Sequence, residues 1–161
     1  MVSGRGIRAA GGALLAAVLM TLTAAGPVAA AQAAPPPPAL GGVRIVAIFF
    51  NPPGPDNRTN RSLNGEWVQL RNVTRSRKVI TGWTLHDASI HRYTFPPTVM
   101  GPGAMLRVHT GFGVKNPFNR YWRSKAYIWN NNGDRATLRN ARGTIVSRCA
   151  YTKANDPIKH C

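Results

Sequence analysis

The sequence predicts an all-β domain, a sandwich of about seven to eight short antiparallel strands. Alternation is the first reason. Within residues 64–87, Val68 and Leu70 fall on one face of an extended chain, and Trp67, Gln69 and Arg71 fall on the other; Trp83 and Leu85 share a face opposite Thr84 and His86. Period two with one apolar face marks a half-buried strand. Punctuation is the second reason: clusters of Asn, Gly and Pro cut the chain into short apolar runs. The third is that no capped run with helical periodicity stands out.

The elements follow in order. Arg5 and Arg8 make a positive n-region, residues 13–25 an apolar stretch interrupted only by threonines, and Ala31-Gln32-Ala33 a small-residue cleavage site. This is a signal peptide over residues 1–34. Its apolar core is shorter than the roughly 20 residues that span a bilayer, and no cysteine lies beside the cleavage site for a lipid anchor. The sequence therefore predicts cleavage between Ala30 and Ala34 and a secreted product with no membrane anchor. Residues 35–42, with Pro35 to Pro38 and then Gly41-Gly42, form a stiff spacer.

The domain begins at Val43. Residues 43–50 are a nearly continuous β-branched and aromatic run, read as a core strand. Residues 51–65 read as a long polar loop whose prolines exclude a central strand, with Asn64-Gly65 turning into the next strand. The strands around Trp67 and Trp83 come next, Gly82 giving the second a tight bend at its start. Tyr93-Thr-Phe95 is a short strand stopped by Pro96-Pro97. After Gly101-Pro-Gly103, Leu106 and Val108 point inward, and Met105, Arg107 and His109 outward. Residues 111–124 read as a long loop, Tyr127-Ile-Trp129 as an apolar patch, and residues 135–139 and 143–148 as a terminal hairpin.

The ordered set Gly65-Glu-Trp-Val-Gln-Leu-Arg-Asn72, Ile80-Thr-Gly-Trp-Thr-Leu-His-Asp87, Tyr93-Thr-Phe-Pro-Pro97, Gly101-Pro-Gly103 with Leu106-Arg-Val-His-Thr-Gly111, and Trp129-Asn-Asn-Asn-Gly-Asp-Arg-Ala-Thr-Leu138 resembles the lamin-tail domain, an immunoglobulin-like β-sandwich. The resemblance covers residues 43–151. Gln69 stands where many bacterial members have an acidic residue, and the terminal cysteine pair is not part of the pattern. The resemblance implies no catalytic residues and no cofactor. Bacterial members are often exported and often sit beside nuclease or phosphoesterase domains as accessory modules. No such domain is visible in this chain, so the resemblance implies a binding or structural module and leaves its ligand open.

Charge narrows the ligand. The chain has 161 residues and a formal charge of +16; taking away Arg5 and Arg8 with the leader leaves +14. Such an excess suits a polyanion, either DNA or an anionic cell-wall polymer. Its cations cluster in loops: Arg58 and Arg61 in one, Arg75, Arg77 and Lys78 in a second, Lys115, Arg120, Arg123 and Lys125 in a third. The third interleaves them with Phe112, Phe118, Tyr121 and Trp122. Charge to hold phosphates beside flat faces for stacking is what a nucleic-acid groove needs. Against this stands the plainer reading that Tyr121 and Trp122 pack beneath the loop as core.

Other chemistry is thin. Five acids, Asp56, Glu66, Asp87, Asp134 and Asp156, are few for paired-carboxylate catalysis, and Asp87 and Asp134 sit where turns use Asp to bond backbone. Asp56, Asn57 and Asn60 are the best local oxygen cluster for calcium, disfavoured by the charge. His86, His91 and His109 would have to gather on one outer face to hold a metal, and no acid is predicted beside them to orient a ring. No serine has nucleophile-elbow context. The sequons at Asn57, Asn60 and Asn72 matter only in a eukaryotic secretory route, and the Ala/Gly/Arg-rich composition is that of a bacterial chain. Cys149 and Cys161, the only cysteines, form a disulfide by default in an exported chain, worth roughly 3 kcal/mol for so short a loop, and tie back the tail, residues 152–161. The rival, a metal site of Cys149, His160 and Cys161, matches no common zinc spacing. The expected function is a secreted, non-enzymatic polyanion binder; the alternatives are a structural or adhesion module for a protein partner, and an accessory domain to a secreted nuclease.

Overall fold

The computed structural model describes residues 42–152 and 156–161. The expected signal peptide, and the spacer up to Gly41, lie outside the described residues. Eleven strands and one short helix follow in the order β1 (Val43–Phe49), α1 (Asn60–Gly65), β2 (Trp67–Asn72), β3 (Lys78–Val79), β4 (Thr84–His86), β5 (Arg92–Thr94), β6 (Val99–Met100), β7 (Met105–His109), β8 (Asn119–Tyr121), β9 (Gly133–Arg139), β10 (Ile145–Thr152) and β11 (Ile158–His160). They make a five-stranded sheet, β11-β1-β2-β7-β8, a four-stranded sheet, β10-β9-β4-β5, and a separate β3-β6 ribbon. The architecture is the expected immunoglobulin-like β-sandwich. No helix among the described residues is long and apolar enough to cross a membrane.

The continuous apolar run of β1 has a local cause. Its register with β2 slips between Ile45 and Ala47. Val43 and Ile45 are buried before the slip, Ile48 and Phe50 after it. A bulge shifts the phase of alternation by one residue, so apolar residues of both phases reach the core. β2 and β7 keep the simple rule, with Val68, Leu70, Leu106 and Val108 each 1% exposed or less and paired Val68 to Val108 and Leu70 to Leu106. Trp129, 1% exposed, is the largest fully buried side chain, and the Phe50 ring stacks on Tyr151 of the opposite sheet at 3.9 Å between centroids.

The structure corrects the sequence reading in four places. Among the described residues the strands number eleven rather than seven or eight, because β3, β6, β8 and β11 hold only two or three residues each and take their conformation from a neighbouring ladder. The ladder is not wholly antiparallel: β8 runs parallel to β7, inside what reads as loop. Residues 60–65, expected to continue a loop, form α1: the Thr59 hydroxyl accepts from the Ser62 N–H, the Asn57 carboxamide accepts from the Thr59 N–H at 3.1 Å, and Leu63 is buried at 2% exposure. That is an N-cap with one apolar anchor. Finally, the C-terminal tail is a strand. Cys149 on β10 and Cys161 are disulfide-bonded, with Cα atoms 5.9 Å apart, as expected. The tail pairs with β1 rather than β10, so the bridge joins the edges of the two sheets.

Candidate functional site

The acids explain the charge of the surface. Glu66 is 1% exposed; its carboxylate accepts from the Thr110 hydroxyl at 2.9 Å and the Ile128 N–H at 3.1 Å. Burial pushes its pKa up to about 8 despite these bonds. Asp87 caps its own turn, accepting from the Ser89 and His91 N–H groups and meeting the His91 ring at 2.6 Å. Asp134 accepts backbone N–H groups of Ala88, Asn130 and Arg135. Turn chemistry, as the sequence suggests, occupies both. Asp56 meets the Asn131 amide at 3.3 Å. Among the described residues the only salt bridge is His91 with Asp87. No arginine or lysine there is neutralised by a carboxylate within 4.0 Å.

The loop after β7 is built into a pocket wall. Asn60 and Asn64, one turn apart on α1, both donate to the Phe112 carbonyl, and Asn60 accepts from the Phe112 N–H at 2.7 Å. Gly111 leaves room for this clamp, since a Cβ there would lie 2.6 Å from the Asn60 carboxamide oxygen and push it aside. At Gly113 a Cβ would run into the Tyr121 ring. The chain then turns at Asn116 and forms β8, and the Trp122, Arg123 and Ser124 N–H groups bond back to His109, Gly111 and Thr110 carbonyls. Arg123 adopts φ +68°, uncommon for a residue with a Cβ. Its guanidinium lies 5.8 Å from the Phe112 ring.

Between this loop and β5 lies an open pocket of about 580 Å³. Tyr93, Tyr121 and Trp122 supply its aromatic wall, and Lys115, Arg120 and Arg123 its cations. Trp122 is half-buried, its ring 5.8 Å from Tyr93 and 6.0 Å from Trp129, and Tyr121 stacks on His109 at 5.3 Å. The expectation of core packing holds for Trp122, which packs on the core and also lines the pocket; Tyr121 lines the pocket but stacks on His109 instead of packing on the core. Burial raises the Tyr93 phenol above its ordinary range. Arg120 differs from every other predicted cation. It is 8% exposed, and its guanidinium donates to the Asn116 and Asn119 carbonyls and to the Thr98 hydroxyl. Its Nε has no partner.

The remaining predicted residues lie elsewhere. Arg58, at φ +57°, precedes α1, and Arg61 on α1 lines a second depression of about 440 Å³ with Pro52 and Pro55. Arg75 and Arg77 occupy the turn into β3, and Lys78 opens β3 itself. Asn72, fully buried, organises that turn, donating to Ser76, Met100 and Gly101 carbonyls and accepting from Thr74. Lys125 is exposed beyond the pocket. The three histidines do not gather: His86 is on the four-stranded sheet and His109 on the five-stranded one. His91 has the orienting acid that the sequence did not predict, Asp87. Burial, with Arg139 and Arg92 nearby, holds His86 below the usual imidazole range. Asn57 and Asn60 spend their carboxamides on Thr59 and Phe112. Among the described residues no three His, Cys, Asp or Glu side chains gather for a metal.

Sequence reasoning missed Tyr93 as a site residue, because it reaches the pocket from another strand. It also missed Arg107, whose guanidinium lies 4.3 Å from the Trp67 ring on the outer sheet face; their outward phases on adjacent strands were the available signal. The family model described as Lamin Tail Domain matches residues 36–153. No curated protein matches the chain.

Proposed function

Because the chain belongs to the lamin tail domain family, we propose that it is a secreted, non-enzymatic module that binds an extracellular polyanion, DNA or an anionic cell-wall polymer, through its basic loops. Lamin tail domains are immunoglobulin-like modules with binding or structural roles. The observation that carries the reading is the unneutralised charge among the described residues: Glu66 is buried, Asp87 and Asp134 are bonded to turns, and Asp56 and Asp156, though exposed, form no ion pair there, while Arg75, Arg77, Lys115, Arg123 and Lys125 stand exposed without a carboxylate partner. A polyanion supplies the counter-charge and releases its own counterions as it binds. Affinity is electrostatic and weakly selective for sequence.

The test is a salt series with the purified protein, duplex DNA and a teichoic-acid-like polymer. The binding constant for duplex DNA should fall with salt at a log–log slope of about −0.9 per phosphate neutralised. An affinity that stays flat from low to moderate salt would overturn the proposal. The polymer bound more tightly names the partner class.

A second reading rests on the β3-β6 ribbon. Val79 and Val99 are cross-strand partners and are 64% and 58% exposed. A paired apolar patch of this kind favours a protein partner. Capture of one protein that survives high salt supports that reading over the first.

A further inference from the structure

We propose that the pocket between β5 and the loop after β7 holds one unpaired nucleotide unit, its base against the aromatic wall and its phosphate at Lys115 and Arg123. The inference rests on the polyanion reading and narrows it to single-stranded nucleic acid.

The lining is divided by chemistry. Tyr93, Tyr121 and Trp122 offer ring surface; Lys115 and Arg123 are exposed cations. Its volume, about 580 Å³, falls within the roughly 300–1,000 Å³ of small-ligand pockets. The lining is also rich in donors. Lysine, arginine and tryptophan side chains only donate hydrogen bonds, and no Asp, Glu, Asn or Gln lines the pocket. Phosphate oxygens and base carbonyls are acceptors, so a nucleotide complements this set. A sugar's hydroxyls need acceptors as well, and the wall has few.

Arg120 supplies an independent argument. It lines the same pocket, is buried to 8% exposure, has no carboxylate beside it, and leaves Nε without a partner. A buried cation bonded only to carbonyls and a hydroxyl keeps an unbalanced charge, which an anionic ligand in the pocket offsets. A base paired within a duplex hides its faces in the stack and reaches such a pocket only by extrusion, at a cost. An unpaired base enters freely.

The experiment compares three ligands of equal charge at low salt: a short oligothymidylate, an abasic oligonucleotide of the same length, and linear polyphosphate. Base stacking on aromatic rings is worth roughly tenfold or more in affinity per base, so oligothymidylate should bind at least about tenfold tighter than the other two. Trp122→Leu should cut that preference, bringing oligothymidylate toward the affinity of the other two ligands. The abasic comparison uses the unaltered protein and stands even if the variant does not fold. Equal affinity for all three ligands would overturn the nucleotide inference and leave the polyanion reading intact. An acidic polysaccharide of matched charge is run as a fourth ligand, and its binding more tightly than oligothymidylate would also overturn the inference, assigning the pocket to a sugar. No binding of any of them would overturn both.

Discussion

Glu66 joins three segments that the sequence keeps far apart. Its backbone precedes β2, and its carboxylate holds Thr110 at the end of β7 and Ile128 beyond the basic loop. Both ends of the pocket-bearing loop are thus fixed to one buried acid. The sign of its pH effect follows from the direction of the shift. An exposed glutamate ionises near pH 4.5, whereas burial holds the folded carboxyl protonated up to about pH 8. Between those values the folded state binds more protons than the unfolded state, so folding stability falls as pH rises through the window and levels off above it. Glu66→Gln keeps the shape and removes the titration. Its unfolding free energy, measured in urea at pH 5 and pH 9, should lose this component of the decline, a difference on the order of a few kcal/mol. Parallel pH profiles for the variant and the wild type would show that Glu66 does not titrate between the two states. In the sequence Glu66 is one of five scattered acids, and nothing there shows that it is buried with two partners. Those partners lie 44 and 62 residues away. Arg120 teaches the same lesson in reverse, since nothing in its local sequence separates it from the exposed arginines around it.

Secondary structure was legible wherever an element decides its own pattern. The alternation in β2 and β7 needed no partner to be seen, because a half-buried strand writes its two faces into the residue order. β8 and β11 have three residues each, too few for a period, and exist because β7 and β1 offer them a ladder. α1 was readable in principle from Thr59 as a cap and Leu63 as an anchor, but the prolines before it drew the reading toward loop. β11 depends on its neighbours in a testable way. It is held by pairing with β1, by the Cys161 N–H to the Val46 carbonyl at 3.0 Å, and by the disulfide to β10. Replacing both Cys149 and Cys161 by serine should cost roughly 3 kcal/mol of stability. It should also release β11 first, since a strand of three residues at a sheet edge opens locally before the core does. Hydrogen exchange at Lys159 and at residue 161, whose N–H groups face β1, would then accelerate while Leu70 and Leu106 stay protected. Unchanged protection at β11 in the double variant would mean that the β1 ladder alone holds the tail.

The molecule as a whole carries a formal charge of +16, and that much was visible before any fold. The distribution was not. Sequence proximity suggested three equivalent basic loops, whereas the fold gives them different settings: Lys115, Arg120 and Arg123 line an aromatic pocket, while Arg75, Arg77 and Lys78 lie on and just after a turn fixed by Asn72 and do not line it. The two sets should therefore behave differently under charge reversal. Changing Arg75, Arg77 and Lys78 to glutamate removes phosphate-binding cations alone. It should weaken binding of every polyanion alike and flatten the salt slope by about 0.9 for each duplex phosphate that is no longer neutralised. Changing Lys115 and Arg123 to glutamate should flatten the slope likewise, and should weaken ligands that carry bases more than ligands that do not, because these two cations hold the phosphate of the nucleotide seated in the pocket. All five side chains are surface or half-buried, so folding should change little, which thermal unfolding checks. Isothermal titration of each variant across a salt series reads both quantities at once. If reversing either set leaves slope and affinity untouched, that loop lies outside the binding surface; if reversing both leaves them untouched, the charge of the molecule serves something other than a polyanion.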